Sequence, residues 1–131
     1  MEEAAFVLPL PLQPKARPRF SKAAYTDPKY REWMKQCKAI LSEWWVRPPL
    51  QKGELIAVHF LFRGPGTSDL DNLQGAVMDA GNGIIWADDR VTVLRRIEAE
   101  WEKAPKNDQS IHLIVIWNEL PPLRSPGIKG D

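Results

Sequence analysis

The sequence predicts a small α/β domain of the α+β type, with a mixed sheet of about four strands and two helices. Three observations predict it. Several short stretches alternate apolar and polar residues with period two, the signature of strands. Two stretches carry apolar residues at helical spacing behind clear start signals. The 131 residues, 44 % of them apolar, are enough for one continuous core.

Residues 4–10 form a short apolar run that ends in prolines and reads as an edge strand, because proline cannot donate to a central ladder. Residues 11–26 read as a proline-rich, basic loop. Asp27 and Pro28 start a helix as N-cap and first helical residue. Tyr30, Trp33, Met34, Cys37, Ile40, Leu41 and Trp44 make its apolar stripe, and Lys29, Arg31, Lys35 and Lys38 its opposite face; Pro48 and Pro49 close it. Residues 54–63 alternate as a strand, with Ile56, Val58, Phe60 and Phe62 on one face. Leu55, Ala57 and Leu61 make the other face apolar too, which predicts a central position. After the turn Gly64-Pro65-Gly66, residues 71–80 read as a short helix buried through Leu73, Ala76 and Val77 and stopped by Gly81-Asn82-Gly83. Residues 91–102 and 110–117 read as two strands in an antiparallel hairpin joined by 104–109. The domain therefore spans residues 1–118, and 119–131 read as an extended or mobile tail.

The net charge of +1 conceals a division. Residues 13–52 hold ten Lys/Arg and three Asp/Glu, whereas residues 53–131 hold eight and twelve. A basic first third suits contact with a polyanion such as nucleic acid. The single cysteine, Cys37, excludes an internal disulfide framework and suits a reducing compartment. The N-terminus does not read as a signal peptide, and no run approaches the ~20 apolar residues of a membrane span. The reading is a soluble, cytoplasmic protein.

The most informative segment is Ser68-Asp69-Leu70-Asp71-Asn72, followed by Trp86-Ala87-Asp88-Asp89. Asp69 and Asp71 stand at a strand-to-helix junction, and Asp89 in a turn before a later strand. Converged carboxylates repel one another, and a divalent cation with oxygen ligands removes that penalty. Such a site can activate water and steady a leaving oxygen in phosphodiester hydrolysis. The plainer alternatives are that Asp69 or Asp71 only caps the following helix and that Asp88-Asp89 is only a turn. An EF-hand is excluded, since Leu73 and Gln74 fall where that loop needs an Asp/Asn and a glycine. An aspartyl-phosphate phosphatase fits poorly, since the Asp-x-Asp pair follows a glycine-rich loop and not an apolar strand.

The run Asp69-Leu70-Asp71-Asn72-Leu73-Gln74, then Val77-Met78-Asp79-Ala80, then Gly83-Ile84-Ile85-Trp86-Ala87-Asp88-Asp89-Arg90-Val91, resembles the core signature of RusA-type Holliday-junction resolvases. Pro14-Lys15-Ala16-Arg17-Pro18-Arg19-Phe20, with Tyr25-Thr26-Asp27-Pro28 after it, is similar to that family's basic N-terminal segment. The two blocks lie in the family's order, and the likeness covers roughly residues 5–117. The resemblance implies a RusA-like fold and a homodimeric endonuclease that uses Mg²⁺ or Mn²⁺. It implies four-way junction DNA as substrate, cut by symmetric paired nicks during recombination or repair, in phage or prophage settings among others, with no organic cofactor and no membrane. Asp69, Asp71 and Asp89 match the family's catalytic, metal-binding aspartates, with Asp88 as a lesser candidate ligand. Asn72 and Asp79 fall on supporting positions.

One departure matters. The resemblance implies a lysine at position 75, four residues after Asp71 and on the same helix face. The residue there is Gly75. Either another cation reaches in, Lys15 or Arg17 among them, or the protein is a slow or inactive junction-binding relative. A glycine inside a helix costs ~1 kcal/mol against alanine, so its presence points to tolerance or a close contact.

Lys15, Arg17 and Arg19 alternate in a segment stiffened by Pro14 and Pro18, and read as phosphate contacts. Trp33, Trp44 and Trp86 read as core. His59 and His112 lack the partner spacing of a zinc site, and Cys37 reads as core and not as a nucleophile.

Overall fold

A computed structural model describes residues 1–15, 27–88, 90 and 93–118. In chain order it contains strand β1 (Glu2–Leu8), helix α1 (Pro28–Trp44), strand β2 (Leu55–Gly64), helix α2 (Leu70–Gly81), strand β3 (Ile97–Lys103) and strand β4 (Ser110–Trp117). The four strands form one mixed sheet in the order β1-β4-β2-β3. The α+β class, the strand count and the helix count agree with the sequence reading. The expected tail, residues 119–131, lies outside the described residues.

Helix α1 starts where its sequence signals place it. The Asp27 carboxylate accepts from the Lys29 amide at 3.0 Å, and Pro28 occupies a position that needs no hydrogen-bond donor. Trp33, Cys37 and Leu41 are buried, and Lys29, Arg31, Lys35 and Lys38 are exposed on the far side. The helix ends at Trp44, before the prolines, because Trp45 turns extended. Its ring then packs edge-on to Trp117 at 5.3 Å, while Trp44 stacks on Phe6 at 4.8 Å. These contacts tie the end of α1 to β1 and β4.

Strand β2 is central, as its two apolar faces require. A register shift between Leu55 and Ala57 reverses the expected alternation at its start, so Leu55 and Ala57 are buried and Ile56 is only half-buried. From Val58 onward the expected face holds, with Val58, Phe60 and Phe62 in the core.

The expected hairpin between the last two strands does not form. β3 pairs parallel to β2, and β4 inserts between β1 and β2, antiparallel to both. The composition of the two strands supplies the reason. β4 buries Ile111, Leu113, Val115 and Trp117 on one face and half-buries His112, Ile114 and Ile116 on the other, so it gains from a neighbour on each side. β3 carries Glu98, Glu100 and Glu102 and exposes every residue but Ala99, which suits an edge. The connection crosses the end of β2, where the Ala104 amide donates to the Gly64 carbonyl at 3.2 Å. β3 also starts later than predicted, at Ile97. Val93 and Leu94 are buried ahead of it in a turn, donating to the Arg90 carbonyl at 2.9 and 2.8 Å.

Both helices and one face of the sheet share a single core cluster. Among the described residues no element covers the other face, where side chains of β2 pair with those of β3. His59 Nε2 lies 3.0 Å from Glu98, and Arg63 Nε lies 2.9 Å from Glu102. A hydrogen bond from Arg96, helped by the charges of Arg96 and His59, holds the Glu98 carboxyl below its usual range.

Burial pushes the Cys37 thiol up from 9.0 to about 12. A raised folded-state value means that the neutral thiol is favoured on folding. Its contribution is complete below pH 9.0 and is lost as the pH rises through about 12. Unfolding free energies measured between those limits are expected to fall more steeply with pH in the wild type than in Cys37→Ala. The difference in slope should approach ~1.4 kcal/mol per pH unit, one proton's worth. Equal slopes would show that the thiol titrates normally.

Candidate active site

The loop after β2 delivers the chain to the start of α2, where two sequence-predicted carboxylates stand. Asp69 is the N-cap, with φ −71° and ψ 142°, and its carbonyl accepts from the amides of Asn72 and Leu73 at 3.1 Å each. Its side chain makes no capping hydrogen bond. The backbone of Asp69 therefore caps the helix and its carboxylate does not. Asp71 follows in the first turn, and both residues are exposed. Amide groups and the positive end of the helix dipole favour negative charge at this end.

The far end of α2 is held by a tryptophan. Trp86 is fully buried, and its indole N–H donates to the Met78 carbonyl at 3.2 Å and to Asn82 Oδ1 at 2.9 Å. Its ring lies against Gly81 so closely that a Cβ there would come within 2.4 Å of the ring. Isolated bridges join Trp86 to Leu50 and to Asn82, and the Gly83 amide donates to the Trp86 carbonyl at 2.7 Å. The acidic turn thus leaves from a rigid platform. Asp88, half-buried, accepts from the Arg90 amide at 3.0 Å through Oδ1 and pairs with Arg90 Nε at 3.2 Å through Oδ2. Both of its oxygens serve the turn. Asp89 lies outside the described residues.

A third element reaches α2 from the N-terminal side. Leu10 is buried, the Trp33 indole donates to the Pro11 carbonyl at 2.9 Å, and the Leu12 amide donates to Gln109 Oε1 at 2.8 Å. This strap ends on α2, where the Lys15 amide donates to the Asn72 carbonyl at 2.9 Å. The Lys15 side chain crosses Gly75, where a Cβ would lie 3.1 Å from its Cδ, and its ammonium pairs with Asp79 Oδ2 at 3.2 Å. Gly75 is therefore a close-contact glycine. Asn72 supplies the carbonyl that pins the strap. The pairing of Lys15 with Asp79 had no signal in the sequence, where the two lie 64 positions apart. Arg17 and Arg19, expected beside Lys15, lie outside the described residues.

Asp69 and Asp71 offer hard oxygen donors, suited to Mg²⁺ or Mn²⁺ and not to a soft metal. That the Asp69 carboxylate is left over from capping fits such a role. Among the described residues no three His, Cys, Asp or Glu side chains form a metal-binding group. Also among them, no helix is long and apolar enough to cross a membrane.

A sheet backed by two helices, with a carboxylate pair at one helix mouth, meets a known class of DNA-cutting proteins. The family model described as Endodeoxyribonuclease RusA matches residues 9–112. The chain belongs to the RusA endodeoxyribonuclease family. No curated protein matches it.

The seat of Trp86 can be tested through Gly81. Gly81→Ala puts a methyl into the indole ring, and overpacking of this kind costs about 1–3 kcal/mol. Urea unfolding should show a loss of that size with an unchanged m-value; a neutral or stabilising result would show that the ring has room to move.

Proposed function

We propose that this protein is a Mg²⁺- or Mn²⁺-dependent resolvase that cuts four-way DNA junctions by symmetric paired nicks, acting as a homodimer. The observation that carries the reading is the Asp69–Asp71 pair at the mouth of α2, with the Asp69 carboxylate unused by the cap, in a chain of the RusA family. Asp69, Asp71 and Asp89 are the proposed metal ligands. Asp89 follows Trp86 by three positions in sequence, and Trp86 is tied to α2 through the Met78 carbonyl. Asp71 lies seven residues before Met78, ~10 Å along the helix axis. Asp88, engaged with Arg90, is assigned to holding the turn.

When bound, the metal supplies a water of lowered pKa and neutralises charge on the scissile phosphate. The residues of the chain do the rest. Asp69 and Asp71 would hold that metal at the start of α2, where the first-turn amides also favour an anion. Lys15, with Arg17 and Arg19 after it and the exposed Lys29, Arg31, Lys35 and Lys38 of α1, contacts the DNA phosphates. Two copies follow from the substrate, because paired cuts on opposed strands need two equivalent sites. Asn72 and Asp79 support the site by holding Lys15.

Gly75 favours a second reading, a junction-binding relative without turnover. Cleavage of a labelled four-way junction and of linear duplex, in Mg²⁺ and in Mn²⁺, separates the two. Paired symmetric nicks in the junction alone are expected, and tight binding without nicks would establish the second reading. In Asp71→Asn cleavage should fall by more than the ~10–100-fold typical of losing a mere outer partner of a metal ligand, while junction binding persists. Junction affinity should fall steeply with added salt, and a flat response would argue against the basic surface.

A further inference from the structure

We propose that Lys15 is a catalytic cation of the cleavage site, carried onto α2 by the strap before α1 and admitted there by Gly75; the inference rests on the nuclease reading above. Three features of its placement carry it. The Lys15 amide is fixed to the carbonyl of Asn72, the residue directly after Asp71, so the lysine cannot drift away from the carboxylate pair. Its stem occupies the space of a missing side chain at position 75, since any Cβ there would press on Cδ at 3.1 Å. A helix-interior glycine costs ~1 kcal/mol against alanine, and the crossing lysine gives that cost a purpose. Asp71, Gly75 and Asp79 follow one another four residues apart along one stripe of the helix, each step rising ~6 Å. Lys15 crosses the stripe at its midpoint.

The Asp79 contact holds the ammonium in place without trapping it. With side chains 42 % and 33 % exposed, this pair is the solvent-screened kind, worth only ~0–1 kcal/mol. A phosphate oxygen competes well for such an ammonium, because charge-assisted bonds to phosphate are short and strong. Turning about its stem over Gly75, the side chain exchanges Asp79 for a phosphate oxygen on the Asp71 side. In that role Lys15 neither gives nor takes a proton. It is a fixed positive charge beside a non-bridging oxygen, on which negative charge builds as water attacks phosphorus and the bond to the leaving oxygen breaks.

Lys15→Met keeps the stem packed on Gly75 and removes only the charge. Lys15→Ala combined with Gly75→Lys supplies the ammonium from the other side of the same contact. The measurements are single-turnover cleavage of a labelled junction, junction Kd in Ca²⁺ without cleavage, and melting temperature. Lys15→Met should lose at least about 100-fold in cleavage rate. Its Kd should weaken by no more than about tenfold, the share of one phosphate contact, and it should melt with the wild type. The double variant should regain much of the lost rate. Wild-type cleavage by Lys15→Met, a rate loss no larger than the binding loss, or a folded double variant no faster than Lys15→Ala would each overturn the proposal. Should the double variant melt below the assay temperature, Lys15→Met decides alone. A wild type that cuts no junction defeats the nuclease reading, and this inference with it; an active wild type beside an active Lys15→Met defeats only this inference.

Discussion

The two-sided hydrogen bonding of β4 is the constraint on which the rest of the structure depends. By pairing with β1 on one edge and β2 on the other, the last strand closes the sheet around the first. β3 then takes the outer edge beyond β2, parallel to it. The chain must then cross the end of β2 to enter β4, and this crossing places Gln109 where it receives the Leu12 amide. The strap from β1 is thereby guided over the sheet end and onto α2. One pairing choice thus brings residue 15 to residues 72, 75 and 79.

Helix α2 is the ruler of the site. Its N-cap and first turn present Asp69 and Asp71, and its last turn is locked by the Trp86 indole. The lock is tight because Gly81 offers no side chain and both acceptors of the indole belong to the helix end. The acidic turn therefore departs from a fixed point on the same helix that carries the carboxylate pair. Two glycines on one helix serve opposite ends of this arrangement: Gly81 seats a ring that fixes the turn, and Gly75 passes a lysine stem.

Charge is divided between the faces of the molecule. The exposed lysines and arginine of α1 lie on the helical side, and the glutamates of β3 lie along the sheet edge. The net charge of +1 is too small to steer a polyanion as a point charge. Under the proposed function, the exposed cations of α1 do so instead, as a local basic face. Under the proposed function the mouth of α2 presents a local difficulty, two carboxylates beside a phosphate, which a divalent cation and the Lys15 ammonium would both relieve.

The sequence by itself determined the α+β class, both helices and the start of the first, the central place of β2 and the acidic segment at the start of α2. These are local matters: the Asp27–Pro28 start, a stripe at helical spacing and a run apolar on both faces are set by residues a few positions apart. Family membership was legible as well, in the segments around Asp69 to Asp89 and Pro14 to Phe20. Strand order was not. Residues 91–102 and 110–117 look like hairpin partners from spacing alone, and only the competition for a central position put β4 between β1 and β2. The same holds for Val93 and Leu94, whose apolarity serves a buried turn and not a strand. The crossing of Lys15 over Gly75 was decided by tertiary structure alone. An empty Cβ position has no preference of its own until the fold brings a distant side chain to fill it.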